Sequence, residues 1–472
     1  MSYLWDSAGF SLAVPLKKIY LPLALFVIFS ACSYFFSMDK FCSRNELFNL
    51  LNWIFLFYVS AEIMKEYSRK LIIFFQLISI IGGSLAVIGI WQFLTGQTVA
   101  GTMVNPNIFA GYLVMIVPCL LWLVINDGNS KTKGIAYILL LIIITACLVL
   151  TGSLAGLAGV FCGVFILMYL LPGRELLKKY KYAFFLIACI LIIIAVSRID
   201  NDSFINRLFW WKTALKMMAA HPLTGIGIGC FGSAYECFKS GGLSTLYAHN
   251  YFLQTGAETG IIGMAALIWF LIEALKKKSA VNIPLFSGVC AVLIQNLFDY
   301  NLCIPANAVL FWVMLGMMQK EESAQGNVLT HDKSKKWMLT VVSSAIVAVM
   351  LVAVIKPFIA NRDWVMGNIR LEQASTCGLN TKSGMEALKG AEGYYIEAIK
   401  SDPLNSMHYS GLSDVYINYY LADGYKSWLD EAQIEMNKAA GYRNCSQFLQ
   451  KKLLLLKNLR NTEKCTSVRL KY

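Results

Sequence analysis

The chain of 472 residues carries a formal net charge of +13, and 57% of its residues are hydrophobic while only 15% are charged. Soluble domains hold about 25% charged residues, so this composition excludes an ordinary soluble globular protein. The predicted fold class is all-α: a polytopic membrane domain over 1–357, followed by a less apolar helical domain over 358–472.

About eleven apolar runs have the length of a bilayer crossing, which takes roughly 17–25 helical residues. The first run follows two lysines and lacks a small-residue cleavage site, so we expect a retained helix rather than a removed signal peptide. The runs lie at 18–38, 47–64, 71–94, 107–126, 134–151, 153–172, 181–197, 250–275, 282–299, 303–319 and 338–357.

The positive charges of the connecting loops predict the orientation of these runs. With the N-terminus in the cytoplasm, the short outside loops hold only Lys40 and Arg44. The positive-inside rule therefore places the N-terminus inside, and the long loop 198–249 and everything after Lys356 outside. Because the inside loops account for most of the net charge, that charge gives no reason to expect a nucleic-acid partner. The inside loops hold Lys17, Lys18, Lys65, Arg69, Lys70, Lys131, Lys133, Arg174, Lys178, Lys179, Lys181, Lys276, Lys277, Lys278, Lys320, Lys333, Lys335 and Lys336.

The C-terminal domain carries the pattern of a tetratricopeptide repeat. The pattern covers about one and a half repeats, and helices of this type often present a concave binding face. It therefore predicts a protein partner for this domain, with a helical hairpin that has no partner as the alternative. The residues that fit are Ala391, Tyr395, Ala398 and Pro403 in one helix, and Tyr409, Leu412 and Tyr416 in the next.

The 13 cysteines are scattered and form no CxxC pair, so we expect neither a structural zinc site nor a thioredoxin-like centre. Cysteines on the predicted outer side are candidates for disulfide bonds in an oxidising compartment, with the pairing left open. They are Cys230, Cys237, Cys377, Cys445 and Cys465.

Placing polar residues in a membrane costs free energy, so those inside or at the ends of the apolar runs point to function. Asn250, Gln254 and Glu258 follow at intervals of four, so we expect them on one helical face that lines a cavity. Two further groups, Asn105-Pro106-Asn107 and Gln295, Asn296 and Asp299, lie near predicted outer ends. The structural alternatives are a helix cap for Asn105 or Asn107, and contacts between helices for the second group.

Two histidines lie on the predicted outer side. His249 opens a span beside the polar residues, where an imidazole can take a proton from a hydroxyl; the alternative is a hydrogen bond to a loop carbonyl. His221 precedes Pro222 and is predicted to end a helix that Arg207 opens. Arg207 is a candidate anchor for a diphosphate, with nonspecific binding of lipid headgroups as the alternative.

Gly225, Gly227 and Gly229 do not make a nucleotide site, because no strand precedes them and the spacing differs. A tight backbone path for the loop explains them better.

Taken together, these residues resemble the signature of the O-antigen ligase and polymerase superfamily, bacterial membrane glycosyltransferases of the GT-C type. The similarity spans roughly 70–320. It rests on Arg207, Trp211, His221-Pro222, Gly225-x-Gly227, His249-Asn250, Gln254, Glu258-x-Gly260 and Gly263, and on Asn105-Pro106-Asn107-x-x-Ala110-Gly111. One departure is that Thr151-Gly152-Ser153 precedes Leu154, where members often have an arginine.

The resemblance implies transfer of a glycan from undecaprenyl diphosphate to a hydroxyl on the periplasmic face of the bacterial inner membrane, without a metal or other cofactor. It implies catalytic roles for His249 and Arg207. It also implies that membrane lipids are partners of the protein. The acceptor class stays open between a growing glycan, a lipid A core and a protein such as pilin. Residues expected to bind substrate are Asn250, Gln254, Glu258, His221, Asn105, Asn107 and Asp299.

Two other classes of function remain as alternatives. A polysaccharide or lipid transporter would also be polytopic, but it should have paired halves with interrupted helices, and the sequence gives no convincing internal repeat. A membrane-anchored scaffold would use the C-terminal domain alone and would have no need of Arg207 and His249.

Overall fold

A computed structural model describes residues 18–66, 71–103, 105–127, 130–171, 182, 201–276, 282–319, 333–442 and 447–461, which contain helices and no strand. The helices are α1 (Tyr20–Phe35), α2 (Lys40–Glu66), α3 (Leu71–Leu94), α4 (Pro106–Asn126), α5 (Lys131–Leu150), α6 (Leu154–Leu170), α7 (Asn201–Ala220), α8 (Phe231–Phe238), α9 (Tyr251–Lys276), α10 (Ile283–Gln295), α11 (Pro305–Met317), α12 (Lys333–Cys377), α13 (Lys382–Ser401), α14 (Ser406–Asp423), α15 (Ser427–Tyr442) and α16 (Gln447–Asn461).

The described helices include α3, α4, α5 and α9, which are long and apolar enough to cross a membrane, and the shorter apolar helices α1, α6, α10 and α11. The chain is therefore a multi-pass membrane protein, and the total of eleven crossings stays a prediction. The predicted run 181–197 lies outside the described residues. Three helices differ clearly from the predicted runs: α2 begins at Lys40 rather than 47, α10 ends at Gln295 rather than 299, and α12 spans Lys333–Cys377 rather than 338–357.

The chain forms two compact units, and the first comprises Met1–Ser33, Asn49–Gly225 and Ser240–Glu322. Helix α4 lies at the centre of this unit, since it is buried almost continuously from Ile108 to Leu120. Helices α6 and α10 pack closely beside it because small residues face each other. A Cβ atom added to Gly159 would lie 2.6 Å from the Ala291 carbonyl oxygen. Such close backbone approach is how helices associate where lipid offers no hydrophobic driving force.

Helix α9 is interrupted at Gly260, whose φ of 79° and ψ of 173° are not helical. The turn after α7 fills the interruption: Ile261 N–H, freed from its helical partner, donates to the Pro222 carbonyl oxygen at 2.8 Å. A Cβ atom at Gly260 would lie 2.6 Å from the Leu223 carbonyl oxygen, so only glycine fits both the backbone angle and the space. The turn that begins at His221 is thereby fixed against α9.

The second unit comprises Tyr34–Phe48, Ile226–Lys239 and Ser323–Tyr472. Its C-terminal helices bury two apolar clusters, one around Tyr395 and Leu412 and the other around Leu429 and Met436. The ammonium of Lys452 in α16 donates to both carboxylate oxygens of Asp414 in α14, at 2.9 and 2.6 Å. Helix α12 runs through the predicted domain boundary at 357, and the tetratricopeptide assignment of these helices stays a prediction.

The cysteines that the sequence suggests as candidates for disulfide bonds differ in oxidation state. Cys230 and Cys377 carry free thiols, whereas Cys237 takes part in a disulfide bond. Cys445 and Cys465 lie outside the described residues.

Candidate functional site

Helix α7 carries Arg207 in its second turn, because the helix begins at Asn201 and not at Arg207 as the sequence pattern predicts. The helix ends at Ala220, just before His221-Pro222, as expected. Arg207 is half-buried, and its Nε atom is buried with no hydrogen-bond partner among the described residues. A guanidinium held in this way retains donor capacity for a ligand.

The exposed side of α7 carries an apolar stripe, with the exposed cations Lys212 and Lys216 beside it. Phe204, Leu208 and Leu215 recur at helical spacing and are all exposed. Met218, near the end of the same helix, is buried. An exposed apolar stripe on a helix in a polar loop suits the boundary between headgroups and acyl chains.

His249 lies just before α9 in an unusual backbone conformation. Its φ is 51°, and no other non-glycine residue in the described part of the chain has a positive φ. Histidine tolerates this region better than most residues, but such angles persist only where the surroundings impose them. The Trp211 indole supports the conformation by donating to the His249 carbonyl oxygen at 3.4 Å.

Aromatic rings enclose the His249 imidazole. Trp210 stacks on it with ring centroids 4.5 Å apart, and Tyr300 meets it edge to face at 4.7 Å. Tyr247 in turn stacks on Tyr300 at 4.1 Å. These contacts fix the ring plane, because each neighbouring ring favours one geometry. Trp210 is further anchored by its indole N–H, which donates to the Leu243 carbonyl oxygen.

Asp299 lies behind the imidazole, in the loop beyond the end of α10 rather than within the apolar run predicted to hold it. Its Oδ1 atom is 3.8 Å from His249 Nδ1, which is an ion-pair distance and too long for a hydrogen bond. The same oxygen accepts from the Tyr300 backbone N–H at 3.0 Å. The His249 Nδ1 and Asp299 Oδ2 atoms are buried and have no hydrogen-bond partner among the described residues.

Burial moves the pKa values of this pair in opposite directions. Burial, together with a smaller effect of the nearby Arg207 charge, lowers the pKa of His249 to about 4. Burial raises the pKa of Asp299 to about 6, while the Tyr300 N–H and Arg207 oppose that rise. At neutral pH the imidazole is therefore uncharged and the carboxylate is ionised. A neutral imidazole is the form that accepts a proton.

Asn105, the residue directly before α4, contacts Tyr300 beside the His249 imidazole. Its Oδ1 atom accepts from the Ile108 N–H and caps the helix, as the structural alternative holds, while its Nδ2 atom donates to the Tyr300 hydroxyl at 2.8 Å. Asn107, in the first turn of α4, offers its carbonyl oxygen to Gln295 Nε2 at 3.1 Å. Asn105 therefore acts on the ring that borders His249.

The polar residues after His249 form a short hydrogen-bonded series. Gln254 accepts from the Ala248 N–H at 3.1 Å and donates to Glu258 at 3.2 Å, and both side chains are buried. Asn250 lies directly before α9, and its carbonyl oxygen accepts from the Gln254 N–H at 2.9 Å. Its Oδ1 atom accepts from the Leu253 N–H, and its Nδ2 atom donates to the Leu297 carbonyl oxygen.

The structure thus brings Arg207, His249 and Asp299 together, with Asn105 one side chain away. His221 instead lies at the turn that fills the break in α9. Sequence reasoning missed Tyr247 and Tyr300. The available signal was position alone, since Tyr300 directly follows Asp299 and Tyr247 stands two residues before His249.

Residues 137–268 match the family model described as O-antigen ligase. This segment, a little over a quarter of the chain, is therefore similar to the O-antigen ligase family. The match supports placement in the O-antigen ligase superfamily and a function in glycan transfer at a membrane. A comparison with curated proteins finds no match for this chain. The matched segment includes Arg207 and His249, while Asn105 and Asp299 lie on either side of it in the sequence.

Proposed function

We propose that the protein is a glycosyltransferase that moves a glycan from an undecaprenyl-diphosphate-linked donor to a hydroxyl acceptor on the outer face of the bacterial inner membrane. The observation that carries the proposal is a neutral, rigidly held imidazole at His249, with Asp299 behind it and the charge of Arg207 nearby. An uncharged imidazole can accept the proton of a hydroxyl, and a fixed cation can stabilise the charge that develops on a departing diphosphate.

The reaction is a single displacement. The acceptor hydroxyl gives its proton to His249 while its oxygen attacks the anomeric carbon of the donor sugar. The bond from that carbon to the phosphate oxygen breaks, and the lipid diphosphate leaves with its electron pair. Arg207 stabilises the negative charge that develops on the diphosphate, and Asp299 stabilises the imidazolium formed at His249. The anomeric configuration therefore inverts.

The remaining polar residues position this centre. Asn105 holds the Tyr300 hydroxyl, and Gln254 holds the backbone beside His249 while donating to Glu258. We propose that Asn107, His221 and Asn250 act mainly through the backbone path that surrounds the substrates.

The reaction is expected to depend on pH through Asp299. As pH falls through about 6, the carboxylate takes up a proton and no longer stabilises the imidazolium, so turnover should drop. His249 itself stays unprotonated until about pH 4. Asp299→Asn should lower the plateau and move the acidic limb of the pH profile from about 6 toward 4. An unchanged limb near pH 6 in that variant would assign the titration to another group.

Orientation is tested by reporter fusions. A fusion at Lys277 should report the cytoplasm and one at Ser383 the periplasm, because of the lysine and arginine distribution. The disulfide bond at Cys237 fits an oxidising compartment for the long loop. A cytoplasmic signal at Ser383 would change the number of crossings by one and move the C-terminal domain to the other side.

The glycan profile of the cell envelope in a deletion strain tests the proposed function and its acceptor class. Loss of long polymers points to polymerisation of repeat units, loss of attachment points to ligation onto a lipid A core, and an unglycosylated protein points to a protein acceptor. An unaltered profile in all three respects contradicts glycan transfer.

A transporter is the second candidate, favoured by the interruption of α9 at Gly260, since transporters bind substrates at broken helices. Here the turn after α7 fills the break. Movement of intact lipid-linked glycan across vesicles, without release of lipid diphosphate, would support transport instead.

A further inference from the structure

The start of α2 is joined to the C-terminal helices by a bidentate ion pair. Arg44 Nη1 donates to Asp402 Oδ1 at 2.6 Å, and Arg44 Nη2 donates to Asp402 Oδ2 at 2.7 Å. Both residues belong to the second unit. The Asp402 side chain is 1% exposed, whereas that of Arg44 is 19% exposed. Exposed ion pairs stabilise little, but paired hydrogen bonds to a buried carboxylate are among the strong ones.

The turn between α13 and α14 is built around Asp402. The Asp402 N–H donates to the Ala398 carbonyl oxygen and closes α13. The Asp402 carbonyl oxygen lies 3.2 Å from His408 Nδ1, and His408 Nε2 lies 3.1 Å from Asn405 Nδ2. With its backbone held on both sides, the Asp402 carboxylate has a fixed direction toward Arg44.

The same stretch of α2 holds a second chain segment, Ile226–Lys239. Ser43 Oγ donates to the Ile228 carbonyl oxygen at 2.6 Å, and Ser233 Oγ donates to Asp39 Oδ2 at 2.9 Å. Asp39 also caps α2, since its Oδ1 accepts from the Cys42 N–H at 3.1 Å. Thus Arg44 lies next to the residues of α2 that fix the Ile226–Lys239 segment.

We infer that Arg44 and Asp402 are positioning residues: through the start of α2, the C-terminal helices hold Ile226–Lys239 in place for glycan transfer. The segment stands between Arg207 and His249 in the sequence and is part of the chain that joins them. The catalytic part of this inference rests on the proposed function. On this view the C-terminal domain contributes to glycan transfer by positioning Ile226–Lys239.

The test uses the full chain in lipid nanodiscs, with Asp402→Asn and Arg44→Lys. Asp402→Asn removes the negative charge of the pair. Arg44→Lys keeps the positive charge but loses the planar guanidinium that makes two hydrogen bonds at once. Lys400→Gln is the matched control, because Lys400 pairs with Glu397 on an exposed surface two residues from Asp402. Hydrogen exchange over Ile226–Lys239 is measured beside the turnover number and the KM for an undecaprenyl-diphosphate-linked oligosaccharide.

Both variants should speed hydrogen exchange in the segment by roughly 10- to 100-fold, because each loses the stabilisation of a charged hydrogen bond. The control should leave the exchange rate unchanged. Turnover should fall by roughly 10- to 100-fold through misplacement of the reacting groups, with little change in the donor KM. A loss of structure throughout the chain would show as faster exchange in α4, which should stay protected.

Unchanged exchange in Ile226–Lys239 would overturn the inference, and so would faster exchange with full turnover. If the wild-type chain transfers no glycan, the proposed function fails, whereas the exchange results still decide whether the ion pair holds the segment.

Discussion

His249→Ala is expected to lower turnover by on the order of 10²–10⁴-fold, the usual effect of a positioned general base. Donor affinity should change little, because Arg207 and the apolar stripe of α7 remain. The measurement is transfer from purified lipid-diphosphate donor in detergent, with donor binding read separately on variants shown to be folded. Because its pKa is about 4, the imidazole is uncharged at physiological pH and is therefore in the form that accepts a proton.

His331→Ala serves as the control, since the sequence places that histidine in an inside loop, and it should leave turnover unchanged. His221→Ala should act through folding or expression, because His221 lies at the turn fixed against α9. If His249→Ala keeps near-normal turnover while Asp299→Asn or Glu258→Gln abolishes it, a carboxylate is the base and the assignment is wrong.

Arg207→Lys is expected to weaken both donor binding and turnover, by roughly 10- to 100-fold in turnover. The substitution keeps a positive charge but loses the planar fork that matches two phosphate oxygens. Removal of a preorganised donor at developing charge typically costs about 10²–10³-fold, and Arg207→Ala should reach that range. Binding of an undecaprenyl-diphosphate-linked glycan and its transfer are measured on the same preparations.

Lys212→Ala is the matched control, because Lys212 is an exposed cation on the same helix. Its loss should have a small effect on donor binding. If Lys212→Ala weakens donor binding as much as Arg207→Lys does, the helix attracts the donor by charge alone and Arg207 has no specific place in the site.

Hydropathy predicted the described membrane helices well. Runs at 71–94 and 107–126 correspond to helices Leu71–Leu94 and Pro106–Asn126, because twenty or so apolar residues have few other stable arrangements in a bilayer. The end of α10 was missed, since the loop after Gln295 is itself apolar at Leu297 and Phe298. Hydropathy alone cannot distinguish such a loop from a continued helix.

The chemistry of the site was predictable at Arg207 and His249, where residue type and loop position agree. The enclosure of His249 by Trp210 and Tyr300 was not, because it depends on how helix α7 meets the loop that follows α10. The contact between His249 and Asp299 likewise joins residues fifty positions apart. No local periodicity encodes such contacts.

The C-terminal helices follow their pattern in one respect: Ala391, Tyr395 and Leu412 are buried together. The ion pair from Asp402 to Arg44 had no sequence signal, since a charged residue in a turn ordinarily faces water. Only the folded chain shows that this carboxylate is buried against α2.

The most direct measurement is the stoichiometry of a single reaction mixture that contains the purified full chain, an undecaprenyl-diphosphate-linked oligosaccharide and a hydroxyl acceptor. The account predicts one molecule of released undecaprenyl diphosphate for each glycosylated acceptor, with inverted anomeric configuration, and loss of both products in His249→Ala. Release that is equally fast in His249→Ala, or a product of retained configuration, would contradict the account.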